Sequence, residues 1–184
     1  MPEFEPGELV AVLERHGVRY VIIGGFAAIL YGATHVTTDL DITPQDGRDN
    51  LDRLAAALRE VHARIRVSGE PDGIPFDISA ESLARAGIWN LVTDHGDLDI
   101  TFVPSGTRGY DDLARDRRTM SVLGIDAPVA SLADVIRSKE AAGRPKDQPV
   151  LPVLRRILDE TTSGRASPSN ASVSERTGRT RRRA

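Results

Sequence analysis

The stretch Tyr20-Val-Ile-Ile-Gly-Gly-Phe-Ala-Ala-Ile-Leu-Tyr-Gly32, followed by Thr37-Thr-Asp-Leu-Asp-Ile42, decides how this chain is read. Tyr20 to Ile23 is apolar and largely β-branched, which predicts a buried strand. Gly24-Gly25 ends it. Phe26 to Tyr31 reads as a short apolar helix that stops near Gly32, and Asp39 to Thr43 as a second strand closed by Pro44.

In a strand, residues i and i+2 point to the same face. Asp39 and Asp41 therefore project together, while Leu40 and Ile42 face the other way. Two carboxylates held side by side repel, and burying them unpaired is costly. A hard divalent cation with oxygen ligands relieves that cost. An isolated Asp-x-Asp is more often a solvated strand edge. Here Gly24-Gly25 sits between a buried strand and a helix, where backbone can approach a ligand closely and N–H groups are free for an anion.

Outward from this core, residues 8–16 are expected to be helical, with Leu9, Val12 and Leu13 on one face. Leu51, Leu54, Ala55, Leu58 and Val61 mark an amphipathic helix. Short strands are expected near Arg64–Val67 and Ile74–Ile78. Ile88–Thr93 and Leu98–Val103 read as strands joined by Asp94-His-Gly-Asp97, and Tyr110–Arg117 as a helix. Thr119–Leu123 and Ala127–Ala130 are placed to pair across Gly124-Ile-Asp126. Ser131 is positioned to cap a helix running to about Ala142, with Gly143 as its stop. A last helix is expected over Pro149–Glu160. The mixture predicts an α/β (α+β) fold: a mixed β-sheet flanked by helices, with a C-terminal helical segment.

This strand order makes a third carboxylate available. Asp97, Asp99 and Thr101 share one strand face; if that strand neighbours Asp39–Thr43, Asp99 completes a metal-binding triad and becomes the natural base for an attacking hydroxyl. Asp77, between Phe76 and Ile78, competes for the role. Lys139 falls on the buried stripe of Leu132, Val135 and Ile136. A lysine there either snorkels outward or meets an anion. The turn Gly143-Arg-Pro-Lys-Asp147 has a basic centre that could lie over phosphates or simply connect two helices.

Composition narrows the class. The chain has 184 residues with 40% hydrophobic and 28% charged content, which suits one globular domain rather than a disordered chain. It has no cysteine, so disulfides and Cys-ligated zinc or iron–sulfur sites are excluded. MPEFEPGELV lacks a basic-then-apolar leader pattern and no apolar run is long enough to span a membrane, so a cytoplasmic location and no membrane partner are expected. Residues 161–184 hold six Arg and one Glu, a tail of +5 on a chain of net −3, which leaves −3 − 5 = −8 for the rest. Residues 1–160 are read as the domain, and 161–184 as a disordered Arg-rich tail. An acidic body is unlike a dedicated DNA-binding domain.

The two segments Val21–Gly32 and Thr37–Ile42 resemble the core of minimal nucleotidyltransferases of the DNA polymerase β superfamily. Ser131-Leu-Ala-Asp-Val-Ile-Arg-Ser-Lys-Glu-Ala-Ala-Gly-Arg-Pro-Lys-Asp147 is similar to the C-terminal signature of the AbiEii-like and MenT-like toxins of that superfamily. The resemblance implies that Gly24, Gly25 and Thr38 lie at the triphosphate of an NTP such as ATP. It further implies that Asp39, Asp41 and Asp99 hold Mg²⁺ (or Mn²⁺) and carry catalysis, and that Lys139, Lys146 and Asp147 belong to the nucleotide site. Two positions depart from the pattern: Gly25, where many relatives carry Ser, and His35, where many carry Arg.

The implied activity is transfer of a nucleoside monophosphate from an NTP to an acceptor with release of pyrophosphate. In the toxin branch the acceptor is often the 3′ end of tRNA, and a cognate antitoxin restrains the enzyme. The alternatives are a protein-nucleotidylating (AMPylating) enzyme of the antitoxin type and a non-catalytic relative that binds nucleotide or RNA. The retained carboxylates argue against the last.

Overall fold

A computed structural model describes residues 3–34 and 36–163. Its elements run α1 (Pro6–Arg15), β1 (Tyr20–Ile23), α2 (Gly24–Leu30), β2 (Asp39–Pro44), α3 (Arg48–Glu60), β3 (Arg64–Val67), β4 (Glu70–Ile74), α4 (Ala80–Leu83), β5 (Ile88–Thr93), β6 (Gly96–Thr101), α5 (Tyr110–Leu113), β7 (Arg118–Val122), β8 (Ile125–Val129), α6 (Leu132–Ala142), a 3₁₀ turn (Pro145–Asp147) and α7 (Leu151–Ser163). The eight strands form one sheet in the order β4-β3-β5-β6-β2-β1-β8-β7. β2 lies parallel to β6 and β1 parallel to β8, and the other neighbours are antiparallel. The expected mixed sheet with flanking helices and a C-terminal helical segment is what forms.

The alternation read from β2 and β6 sorts the sheet into two faces. Leu40, Ile42, Leu98 and Ile100 are fully buried and join one core with Leu9 and Leu13 of α1 and Leu54 and Leu58 of α3. Each such side chain contributes about 1.5–3 kcal/mol by leaving water. Asn50 of α3 is buried too, and its amide is satisfied: Nδ2 donates to the carbonyls of Arg19 and Gln45 at 2.9 and 2.8 Å, and Oδ1 accepts from the Arg19 N–H at 2.7 Å. That fixes α3 against the start of β1 and the end of β2. The opposite face carries Asp39, Asp41, Asp97 and Asp99.

Several boundaries move. The strand expected over Ile74–Ile78 is instead the polar run Glu70–Ile74, because a two-residue turn at Ser68-Gly69 returns it onto β3 with Val67 opposite Glu70. Pro75 ends it, and Phe76 stacks on Trp89 with ring centres 5.0 Å apart. The helix expected over Tyr110–Arg117 is a single turn, Tyr110–Leu113. α7 continues through Ser163, so the first three residues of the expected tail are helical. The Thr161 and Thr162 hydroxyls donate to carbonyls one turn back, at 2.7–2.9 Å. The rest of the Arg-rich tail and His35 lie outside the described residues. No helix among the described residues is long and apolar enough to cross a membrane.

α6 carries Lys139 on its buried side. Its ends are set as the sequence predicts: the Ser131 hydroxyl accepts from the Asp134 N–H at 3.2 Å, and Gly143 closes the helix in the left-handed region at φ 60°. Replacing Ser131 with Ala is expected to cost about 1 kcal/mol of stability in denaturant unfolding.

Candidate active site

β2 and β6 run parallel with Asp39 level with Asp97 and Asp41 level with Asp99. This register turns two separate i, i+2 pairs into a square of four carboxylates on one sheet face. One oxygen from each of Asp39, Asp41 and Asp99 lies within 4.8 Å of the other two. The neighbour relationship that the third carboxylate required is therefore present. Asp77 is elsewhere: it is exposed and accepts from the Ser79 hydroxyl at 2.7 Å.

The cluster is electrostatically unbalanced. Burial, then Asp39 and Asp99, push the Asp41 carboxyl up from its ordinary 3.8 to about 6, and the Gly25 N–H, 3.3 Å from Asp41 Oδ2, opposes this only in part. Burial also raises Asp99, although the Arg66 guanidinium beside it pulls the other way. Three converging carboxylate oxygens, one of them on a carboxyl held above its usual range by burial and its own neighbours, fit a hard divalent cation such as Mg²⁺ or Mn²⁺.

Gly24 opens α2 at φ 69°, a conformation that strains any residue with a Cβ, and a Cβ there would overlap the Asp41 carboxylate. The glycine turn is thus the surface against which Asp41 lies. Thr37, two residues before Asp39, donates its hydroxyl to Asp39 Oδ1 at 2.5 Å. Thr38, the residue expected at the nucleotide, is exposed and precedes β2. Thr37, its neighbour, is the one that lines the larger of the clefts beside the cluster.

Lys139 neither snorkels nor stands free. It is 5% exposed and its ammonium donates to Asp147 Oδ1 at 2.5 Å, while Arg144 Nε donates to Asp147 Oδ2 at 3.0 Å. Burial would raise the Asp147 carboxyl, but Lys139 and Arg144 outweigh it and hold it below the usual range. Asp147 therefore anchors two cations, and Lys146 beside it is exposed.

Two clefts open here. One, of about 370 Å³, is lined by Thr37, Asp39, Asp99 and Lys146 among others. The second, of about 260 Å³, presents hydroxyls from Thr101, Ser105, Thr107 and Ser138. Asp41, Lys139 and Arg144 line both and form the wall between them. Arg66, from β3, also reaches the cluster, with Nη2 2.7 and 2.9 Å from the two Asp99 oxygens and Nη1 2.5 Å from Asp97. Nothing in the local sequence around Arg66 signals this; it requires the register across β5.

No protein-family model matches the chain, and no curated protein does. Solved structures do. A Thermotoga maritima protein assigned as a nucleotidyltransferase is 18% identical, with 86% of this chain and 97% of that one covered at a TM-score of 0.52. The lincosamide antibiotic adenylyltransferase LnuA, with lincomycin bound, is 15% identical over 85% of this chain and 99% of its own, at a TM-score of 0.57. ANT(2″)-Ia in complex with adenylyl-2″-tobramycin is 13% identical over 88% and 95%, at 0.50. The fold is the one these nucleotidyl- and adenylyltransferases share.

Two consequences are measurable. A carboxyl whose pKa is raised in the folded state binds its proton more tightly there than in the unfolded chain. It therefore favours folding at low pH, and that advantage is lost as pH rises from about 4 through about 6. Thermal melts in chelator should show Asp41→Asn stabilising the protein by about 2 kcal/mol at pH 8 and by almost nothing at pH 4. Gly24→Ala should destabilise by roughly 1–3 kcal/mol in the same melts, from backbone strain and the displaced carboxylate.

Proposed function

We propose that this chain is a metal-dependent nucleotidyltransferase that moves a nucleoside monophosphate from an NTP to an acceptor hydroxyl. The observation that carries this reading is the convergence of Asp39, Asp41 and Asp99 on one sheet face, beside a glycine turn and a wall bearing Lys139 and Arg144. Carboxylates for cations and cations for phosphates, side by side, are what phosphoryl chemistry requires of a protein.

Asp39, Asp41 and Asp99 would hold Mg²⁺ or Mn²⁺, which when bound offsets their charge and polarises the phosphate under attack. Gly24 lines the smaller cleft and Gly25 the larger, so phosphate oxygens would meet the glycine turn beside Asp41, with Lys139 and Arg144 facing them from the wall that both clefts share. Asp99 lines the larger cleft and not the smaller, so the acceptor enters through the larger one. Asp99 takes the proton of its hydroxyl as the new O–P bond forms to the α-phosphorus. The bond from that phosphorus to the bridging oxygen breaks, and pyrophosphate leaves. The nucleoside then occupies the hydroxyl-lined cleft.

For the acceptor we favour the 3′ end of tRNA, with growth inhibition in the cytoplasm and a cognate antitoxin as the physiological setting. The support is the pair of motif segments together with Arg144 and Lys146 in the larger cleft, which suit an acceptor that carries phosphates. A second reading is a small hydroxyl compound, since LnuA and ANT(2″)-Ia share the fold and are seen with an antibiotic and an adenylylated antibiotic.

The test supplies Mg²⁺, each labelled NTP in turn, and separately total tRNA, lincosamide and aminoglycoside antibiotics, and cell-extract protein. Label on tRNA is the expected outcome; label on an antibiotic selects the second reading, and label on protein replaces both acceptors with an AMPylation target. No label from any NTP, with the fold intact by circular dichroism, refutes transferase activity. Asp41→Ala should reduce labelling at least about 100-fold while preserving the fold; normal labelling by that variant would remove Asp41 from the site.

A further inference from the structure

Arg66 takes no part in the transfer steps, yet among the described residues it makes the closest contacts of any cation with the third carboxylate. β3 pairs with β5 so that Arg64 lies opposite Val92 and Ile65 opposite Leu91, and Arg66 is the next residue; across β5, Val92 lies opposite Asp97 and Asn90 opposite Asp99 on β6. The side chain spans one strand to reach Asp99. Its Nη2 is nearly equidistant from both Asp99 oxygens, at 2.7 and 2.9 Å. A donor so placed sits at the open end of the carboxylate and takes the lone pairs between the two oxygens, leaving the outward-facing ones. One Asp99 oxygen still lies within 4.8 Å of oxygens of Asp39 and Asp41, so Asp99 stays part of the cluster while Arg66 holds it. Nη1 is held 2.5 Å from Asp97, which is itself only 20% exposed. Asp97 thus sets the rotation of the guanidinium, and the guanidinium sets the rotation of Asp99.

The geometry points to Arg66 as a positioning residue that restrains Asp99 as a metal ligand and holds it turned toward an incoming hydroxyl. This rests on the transferase reading above. Two functions compete for Asp99: binding a cation with both oxygens, and keeping an oxygen free for a proton. A permanently charged nitrogen, Nη2, set across both oxygens opposes the first and leaves their outward-facing lone pairs for the second, while Nη1 on Asp97 keeps it there. Lys, a single point charge without the fork, cannot hold Asp97 and Asp99 in register at once.

The proposal makes two readouts move in opposite directions. Arg66→Gln removes one positive charge beside the cluster, so Mn²⁺ titrated into the nucleotide-free protein, followed by electron paramagnetic resonance, should bind about threefold to tenfold more tightly than in the wild type. The same variant should lose roughly 30-fold in kcat while its KM for NTP stays within about threefold, because the base is misplaced and the phosphate contacts are not. Arg66→Lys should restore Mn²⁺ affinity to near the wild-type value but not kcat. Asp97→Asn should lower kcat less than Arg66→Gln does. Unchanged or weaker Mn²⁺ binding by Arg66→Gln overturns the proposal, as does an unchanged kcat or full rescue of kcat by Lys. If the wild type transfers no nucleotide, the transferase reading fails, and the Mn²⁺ comparison still decides whether the Arg66 charge limits cation binding at Asp99.

Discussion

The in-register pairing of β2 with β6 is the constraint on which the rest of the site depends. It sets Asp41 beside Asp99 and Asp39 beside Asp97 on a partly buried face, where like charges interact more strongly than in water. The surrounding residues answer that charge. Gly24 brings backbone against Asp41, Thr37 donates to Asp39, and Arg66 bridges Asp97 and Asp99. What they leave unbalanced is visible in the Asp41 carboxyl, which burial and its two neighbouring carboxylates still hold above its ordinary range.

The fold tolerates this because its two sheet faces do different work. Leu40, Ile42, Leu98 and Ile100 alternate with the four carboxylates along the same two strands and are completely buried. Apolar burial on one face holds strands whose other face repels. The second cation group is organised in the same spirit. Lys139 would be costly to bury alone, and Asp147 satisfies it while drawing in Arg144. The 3₁₀ turn after α6 thereby serves the wall between the two clefts.

Much of this is legible in the sequence, for reasons that can be named. Period-two alternation is enough to place Asp39 with Asp41 and Asp97 with Asp99, and the Ser131 and Gly143 signals bound α6 closely. The β7–β8 pair forms as expected, but it closes at Leu123-Gly124, both with positive φ, and Ile125 and Asp126, expected in the turn, pair with Val122 and Ser121. Other features are not legible because they depend on pairing across the sheet. Arg66 acts through a register that crosses β5, and no local pattern encodes it. β4 is a polar edge strand containing Pro71, so its apolar neighbours Phe76 and Ile78 draw the expectation past it.

The order of strands has a consequence for how the molecule assembles. β3, β5 and β6 are near one another in the chain and pair antiparallel, with β5 and β6 joined by a two-residue turn at Asp94-His95. β2 comes from much earlier and docks on β6 in parallel, a contact whose loop-closure cost falls late in folding. When β2 arrives with Asp39 and Asp41, it meets a hairpin unit in which Arg66 already neutralises part of the charge on Asp97 and Asp99. The guanidinium that bridges Asp97 and Asp99 in the finished sheet thus also lowers the repulsion against which β2 pairs with β6.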